Sequence, residues 1–144
     1  MAARSQLQTS GFGMYEIADY GLLGARLCLT AVFLYSGIDK ALNWSDGLDE
    51  VRALGLPWPK LCLLSTIAVQ VGAGLMVLLG IFPRLGAFLL FGFTAAATLA
   101  AHRFRTEPGA ALRSVLTVCL EHLAIMGGFV LVMVAGAGRI ALGG

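Results

Sequence analysis

The chain has 144 residues, of which 58% are hydrophobic and only 12% are charged, and its mean hydropathy is +0.86. Soluble domains carry about a quarter charged residues, so this composition predicts a membrane protein and argues against a soluble enzyme. The net charge of +2 is too small and too scattered to indicate a nucleic-acid partner.

Four stretches are long and apolar enough to cross a bilayer, since a span needs about 20 mostly apolar residues. They are residues 22–42, 61–82, 85–104 and 113–137. The sequence therefore predicts an all-α fold, a four-helix transmembrane bundle, with residues 1–144 as a single transmembrane domain.

The connections between the spans differ in character. Residues 43–60 contain Trp44 and Trp58, the charged run SDGLDEVR and a closing GLPWP, which together predict a short interfacial helix followed by a rigid turn. Pro83 and Arg84 leave almost no connection between the second and third spans. Those two spans are therefore predicted to form a tight antiparallel hairpin.

Most charged residues near the span ends gather on one side of the membrane, because odd spans end and even spans begin on the same side. This polar cluster contains Asp39, Lys40, His102, Arg103, Arg105, Arg113, Glu121 and His122. It is the part of the sequence where a functional site is expected.

Helical phase gives three of the spans a stripe that carries polar residues. The stripes are Arg26, Thr30, Phe33, Gly37 and Lys40 in span one, Thr94, Thr98 and His102 in span three, and Ser114, Thr117, Glu121 and Gly128 in span four. Span two contributes Gln70 near mid-membrane. We expect the stripes to face one another inside the bundle.

Each candidate has a structural alternative. Lys40 and Arg103 fit snorkelling to the interface, as basic residues at span ends commonly do, and His102 fits an interfacial or a site position equally well. Glu121 differs, because it lies about 12 Å into its span, where a carboxylate is costly unless it is paired or protonated. Trp44 is expected to anchor the interface, with site lining as the alternative.

Adjacent residues on a helix point about 100° apart, so Asp39 and Lys40 serve different surroundings. We expect Lys40 to turn inward toward Glu121 and His102. Asp39 is expected to turn toward basic groups: Arg52, Lys60 or the basic end of span three.

The stretches RLCLTAVFLYSGIDKALNW, LGLPWP, VQVGAGLMVLLGIFPRLGA, HRF, EHLAIMGGFVLV and GAGR resemble, in that order, the DoxX family of small bacterial membrane proteins. The resemblance covers nearly everything from Arg26 to Arg139, and its most specific parts are S-G-x-x-K in span one and L-A-x-x-G-G in span four. Relatives in the family include the small membrane subunit of thiosulfate:quinone oxidoreductase. The resemblance implies a multi-pass protein of the bacterial inner membrane that is associated with quinone-linked or thiol-related redox chemistry.

Two positions depart from the pattern of the family. Gln70 stands where the family often has Glu, and an amide cannot carry a proton. Glu121 and His122 stand where span four often has Lys followed by Asn or His. The carboxylate of the cluster therefore comes from span four instead of span two.

The leading hypothesis is a membrane subunit that binds a quinone or similar lipophilic ligand in the polar cluster and docks a catalytic partner. A quinone head group needs hydrogen-bond donors and a proton path. The candidate catalytic residues are Glu121 and His102, and the candidate ligand-binding residues are Lys40, Arg103, His122, Gln70, Asp39 and Trp44.

The alternative is a non-catalytic accessory or scaffold subunit, in which the cluster is a structural ion-pair network. In neither case does the sequence contain a self-contained catalytic centre, so a partner protein would have to carry any electron-transfer cofactor. Quinone is the favoured cofactor; a haem held by His102 and His122 is disfavoured, because axial ligands must lie at nearly the same depth and these two are about 9 Å apart along their helices. No metal site is expected because HxxxH and HxxE spacings are missing from the sequence. The predicted partners are the lipid bilayer and a redox or other membrane-complex protein.

Overall fold

The computed structural model describes the backbone of residues 2–104 and 110–143, and the side chains of residues 16–100 and 115–143. Within these residues every regular element is helical. The elements are α1 (Ala2–Leu42), α2 (Trp44–Ala53), α3 (Pro59–Ala68), a π-helical turn (Val69–Ala73), α4 (Gly74–Leu79), α5 (Pro83–Phe104) and α6 (Ala110–Ala135). The predicted all-α fold is confirmed.

Four helical segments of the described residues are long and apolar enough to span a membrane. They are Glu16–Leu42, Pro59–Leu79, Pro83–Ala100 and Val115–Ala135. Helix α1 extends beyond the predicted start of the first span at residue 22, because it runs without a break from Ala2. The second span is made of α3, the π-helical turn and α4 in succession.

Both predicted connections are confirmed. A single residue, Asn43, separates α1 from the short helix α2, and Trp58 then adopts a left-handed backbone conformation (φ 52°) immediately before Pro59 opens α3. At the other end of the bundle, Gly80 has φ +74° and closes α4. Pro83 begins α5 three residues later, so the second and third spans form a tight hairpin.

An aromatic cluster joins α1, α5 and α6. The ring of Phe33 lies 5.4 Å from that of Phe129 and 6.4 Å from that of Phe93, measured between centroids. Phe33 and Phe129 are buried together with Val77 and Leu90 from the second and third spans. The cluster is therefore the point at which all four spans pack together.

The predicted inward stripe of α1 is confirmed for its first four members, since Arg26, Thr30, Phe33 and Gly37 are all buried. Gly37 allows the closest approach between helices on this stripe. A methyl group there would lie 2.8 Å from the Val71 side chain and 3.0 Å from Gln70 Cβ. The missing side chain thus lets α1 rest directly against the π-helical turn.

The predicted inward stripe of span four is wrong at Glu121. Glu121 and Thr117 are exposed, whereas His122, Phe129 and Val132 occupy the inner side of α6. The reason is the packing of Phe129 against Phe33, which sets the rotation of α6. His122 lies about two turns before Phe129 and therefore points inward, while Glu121 is turned about 100° away.

Gly37→Ala is expected to lower the free energy of unfolding by about 1–3 kcal/mol, because the added methyl group forces α1 away from the π-helical turn. Gly24→Ala is the matched control on the same helix, since nothing lies within 4 Å of a methyl group at that position. Unfolding in detergent micelles measures both variants. Equal stability of the two variants would contradict the close contact.

Candidate functional site

The half of the bundle between the aromatic cluster and α2 contains a polar layer, which we define as Ser36, Gln70, Thr98 and His122. Gly37, which contacts Gln70, lies one turn beyond Phe33 along α1, and Thr98 lies slightly more than one turn beyond Phe93 along α5. At about 1.5 Å per residue, both positions are about 6–8 Å from the aromatic cluster. The two parts of the layer therefore lie at similar depth in the membrane.

Gln70 is the buried polar residue of the second span. It lies in the π-helical turn and is only 6% exposed. Its Nε2 donates to Ser36 Oγ at 3.4 Å, while its Oε1 is buried and has no hydrogen-bond partner among the described residues. An unpaired buried acceptor costs about 1–3 kcal/mol, and π-helical turns are frequent at functional sites. Gln70 is thus a strong candidate for a ligand contact.

His122 and Thr98 form the second part of the layer. Thr98 Oγ1 lies 2.6 Å from His122 Nδ1 and 2.7 Å from the carbonyl oxygen of Thr94. A hydroxyl has one hydrogen, and the short contact with the carbonyl oxygen requires it. Thr98 must therefore accept a hydrogen bond from Nδ1–H of His122. The neutral imidazole then keeps the lone pair of Nε2 free for another partner.

The expected pairing of Lys40 with Glu121 is wrong. Lys40 Nζ lies 2.9 Å from Glu50 Oε2 of α2 and 3.5 Å from Ser36 Oγ. Helix α2 folds back over the end of α1, and a methyl group at Gly47 would lie 3.5 Å from Lys40 Cγ. This contact brings Glu50 to the ammonium group, whereas Glu121 faces away from the bundle interior.

The expected pairing of Asp39 with a basic group is also wrong among the described residues. Asp39 Oδ1 accepts a hydrogen bond from Asn43 Nδ2 at 2.8 Å, one turn further along the chain. Arg52 pairs instead with Asp49 within α2, at 3.0 Å. Both contacts are exposed and join residues that are close in sequence. Helix α2 turns back immediately after Asn43, and Arg52 finds its partner within the same helix.

The remaining candidates are separate from the polar layer or outside the described side chains. Trp44 is 40% exposed and begins α2. Glu121 is exposed and forms no ion pair within the described part of the chain. The side chains of His102 and Arg103 lie outside the described residues.

Two residues of this region, Ser36 and Glu50, were missed by the sequence interpretation. Ser36 lies one turn before Lys40 on α1, beside the polar stripe. Its hydroxyl contacts both Lys40 and Gln70. The sequence interpretation treated Glu50 only as part of the charged run between the first and second spans. Its signal was the amphipathic pattern of α2, in which Leu48 and Val51 are buried and pack with Leu63 of α3.

The four spans and the polar layer at one end of the bundle define a small polytopic membrane protein. The chain belongs to the DoxX family, whose model matches residues 21–103. It is 26% identical over 121 residues to the inner membrane protein YphA of Escherichia coli strain K12, covering 84% of this chain and 86% of the relative. It is 29% identical over 129 residues to the inner membrane protein YqjF of the same strain, covering 90% and 94%.

No solved structure matches the chain. The two relatives and the four candidate spans place the chain in the bacterial inner membrane, as a multi-pass protein. The predicted family, fold class and location are thus confirmed.

Thr98→Val is expected to remove the acceptor that holds Nδ1–H of His122, so the ring should shift toward the Nε2–H tautomer. Thr98→Ser keeps the acceptor and should retain the Nδ1–H form. Nitrogen-15 NMR of the imidazole distinguishes the tautomers, and His122→Gln identifies which signal belongs to this ring. A wild-type ring protonated on Nε2 alone would contradict the assignment.

A double-mutant cycle tests the partner of Lys40. We expect a coupling of about 0.5–1 kcal/mol between Lys40→Ala and Glu50→Ala, which weakens in high salt because Glu50 is largely exposed. The same cycle with Glu121→Ala in place of Glu50→Ala should give no coupling. Coupling to Glu121 but not to Glu50 would reverse the assignment.

Proposed function

We propose that this DoxX-family chain is the membrane subunit of a redox system, binds a quinone or similar lipophilic ligand in the polar layer and docks a catalytic partner. The observation that supports this most strongly is the imidazole of His122. Its Nδ1–H is bound to Thr98, so its Nε2 is left as the reactive nitrogen at the membrane depth of Gln70, whose Oε1 has no described hydrogen-bond partner.

The donors and acceptors of the layer suit the head group of a quinone. When bound, a quinone carries electrons and protons between a donor and an acceptor. Neutral His122 accepts a hydrogen bond at Nε2 and the protonated ring donates one there, so it can contact either a hydroxyl or a carbonyl oxygen. Gln70 can orient the ligand but cannot supply a proton. The aromatic cluster forms an apolar floor beneath the layer.

The other candidates have different roles in the proposal. His102 and Arg103 belong to the end of α5, on the same side of the membrane as the layer, and their proposed role as ligand contacts rests on the sequence alone. Glu121 is next to His122 in sequence but faces outward, so in this proposal it acts on the ligand only through its neighbour and not by direct contact. Lys40 is held by Glu50 and would act on the ligand through Ser36.

Helix α2 is the proposed docking surface for the catalytic partner. It carries exposed Asp46, Asp49 and Glu50 beside Trp44, which is 40% exposed. Glu50 is paired with Lys40 and Asp49 with Arg52. Asp46 is thus the acid of α2 without a described ion pair, and beside Trp44 it favours a partner with a basic group and apolar surface. The partner would supply the electron-transfer cofactor. Asp39 lies where this surface begins and would fix the start of α2 through its hydrogen bond with Asn43.

A scaffold function is the second candidate, and the Lys40–Glu50 pair favours it. This ion pair fastens α2 to α1 without a ligand, as expected of a subunit whose charges only shape a docking surface. His122→Leu and Glu50→Gln together distinguish the two functions, because the first removes the proposed ligand contact and the second breaks the ion pair between α1 and α2. Loss of redox activity with intact assembly supports the ligand site, whereas loss of assembly supports the scaffold.

Short-chain quinone is expected to raise the unfolding temperature of the purified wild-type protein, because a ligand that binds only the folded state stabilises it. His122→Leu should reduce the apparent affinity by about two- to tenfold, as expected for loss of one hydrogen bond between neutral groups. His122→Gln should retain more binding, since the amide can still form a hydrogen bond. Arg52→Gln, on the far side of α2, is the control.

The same titration can contradict the proposal. A wild-type protein that shows no stabilisation by the quinone and copurifies with none does not bind the proposed ligand. Equal affinities of wild type and His122→Leu would place the ligand elsewhere.

A further inference from the structure

Arg26 is a buried charge at the end of the bundle opposite the polar layer. It lies on α1 and is 0% exposed. Its Nη2 donates to the carbonyl oxygen of Ile140, while Nε and Nη1 have no hydrogen-bond partner within the described residues. Buried arginines in membrane proteins are normally paired, because an isolated charge in hydrocarbon is costly. Arg26 thus has donor capacity that the described part of the chain leaves unused.

A thin wall separates this guanidinium from the protein surface. A methyl group at Gly80 would lie 2.7 Å from Arg26 Nη1, 2.6 Å from Ala141 Cβ and 3.1 Å from Ala137 Cβ. The C-terminal segment that contributes the two alanines is tied to α4 by the hydrogen bond from Leu142 N–H to the carbonyl oxygen of Leu79, at 2.9 Å. The wall consists of Gly80 and the methyl groups of Ala137 and Ala141. The positive charge of Arg26 therefore lies directly behind it.

A surface groove of about 450 Å³ lies on the outer side of this wall. Its lining includes the same three small residues, Gly80, Ala137 and Ala141, together with Arg84 at the start of α5. The apolar side chains of Phe82 and Leu85 also line it and are 71% and 52% exposed. The groove therefore combines a basic group with apolar surface at a membrane end of the spans.

The basic groups at this end form no described ion pair, although the Asp19 carboxylate also lies here, 2.9 Å from the position of a methyl group on the groove residue Gly138. Asp19 Oδ1 accepts the backbone N–H of Arg139 at 2.9 Å, and no described ion pair involves Arg26, Arg84 or Arg139. In the low dielectric of a membrane protein, charges within a few ångströms of the groove attract an anion strongly. The groove is complementary to a negatively charged group with an apolar body.

We propose that this groove binds the phosphate of an anionic phospholipid, with Arg84 in contact with the phosphate and Arg26 attracting it from behind Gly80. The exposed Phe82 and Leu85 provide surface for the acyl chains, which a free phosphate would leave uncovered. The position of the groove at the end of the spans matches the depth of lipid head groups. The proposal is independent of ligand binding in the polar layer, which lies at the other end of the bundle.

The test uses the full chain in nanodiscs of phosphatidylcholine with or without phosphatidylglycerol, and native mass spectrometry counts the lipids retained. Wild type should retain phosphatidylglycerol in preference to phosphatidylcholine. Arg84→Gln should weaken that retention about tenfold, as expected for loss of one charge-assisted hydrogen bond, and Arg84→Lys should restore part of it. Lys60→Gln, at the opposite end of the bundle, is the matched control and should behave as wild type.

Arg26→Gln should also weaken the retention of phosphatidylglycerol, because it removes the charge behind Gly80. If Arg26→Gln does not fold, Arg84→Gln still decides the test. Equal retention of phosphatidylglycerol by wild type and Arg84→Gln would overturn the proposal. Inorganic phosphate added to phosphatidylcholine nanodiscs should not stabilise the protein against thermal unfolding. Stabilisation by inorganic phosphate equal to that by phosphatidylglycerol would show that the site takes a free anion and would overturn the assignment to a lipid.

Discussion

The contact between Phe33 of α1 and Phe129 of α6 sets the arrangement on which the site depends. With Phe93 of α5 it forms the aromatic cluster at which all four spans pack. A helix pinned at one bulky residue has its rotation determined over the neighbouring turns. His122 is therefore directed inward to Thr98, and the one-residue displacement of Glu121 turns the carboxylate outward.

The basic residues at the two ends of the bundle differ in how their charges are paired. At the end near α2, Lys40 is paired with Glu50, so that charge is compensated within the chain. At the opposite end Arg26 is more deeply buried, yet only one of its nitrogens has a described partner. The first arrangement fastens a short helix to the bundle, whereas the second leaves an electrostatic attraction for an anion. The structure thus separates a polar layer from a basic groove by about 15 Å along the spans, since Ser36 lies ten residues after Arg26 on α1 and Gly80 lies ten residues after Gln70 at the end of the second span.

The π-helical turn connects the departure of this chain from the family pattern with its packing. Gln70 lies inside the turn, where Gly37 of α1 lets the two backbones come close together. A neutral amide can be buried at this contact at lower cost than a carboxylate, because it carries no charge to desolvate. The titratable group of the layer is then the imidazole of His122, on another helix.

The sequence by itself determined the features that depend on composition and local pattern. These are the four spans, the short helix after α1, the tight hairpin at Pro83 and the inward stripe from Arg26 to Gly37, since each follows from hydropathy, turn chemistry or the phase of one helix. The rotation of α6 and the partner of Lys40 were decided only by the tertiary structure. Helical phase places residues relative to their own helix, but which face turns inward depends on contacts such as Phe33 with Phe129. The pairing of Lys40 depends on α2 folding back, and no periodicity within a single helix encodes that contact.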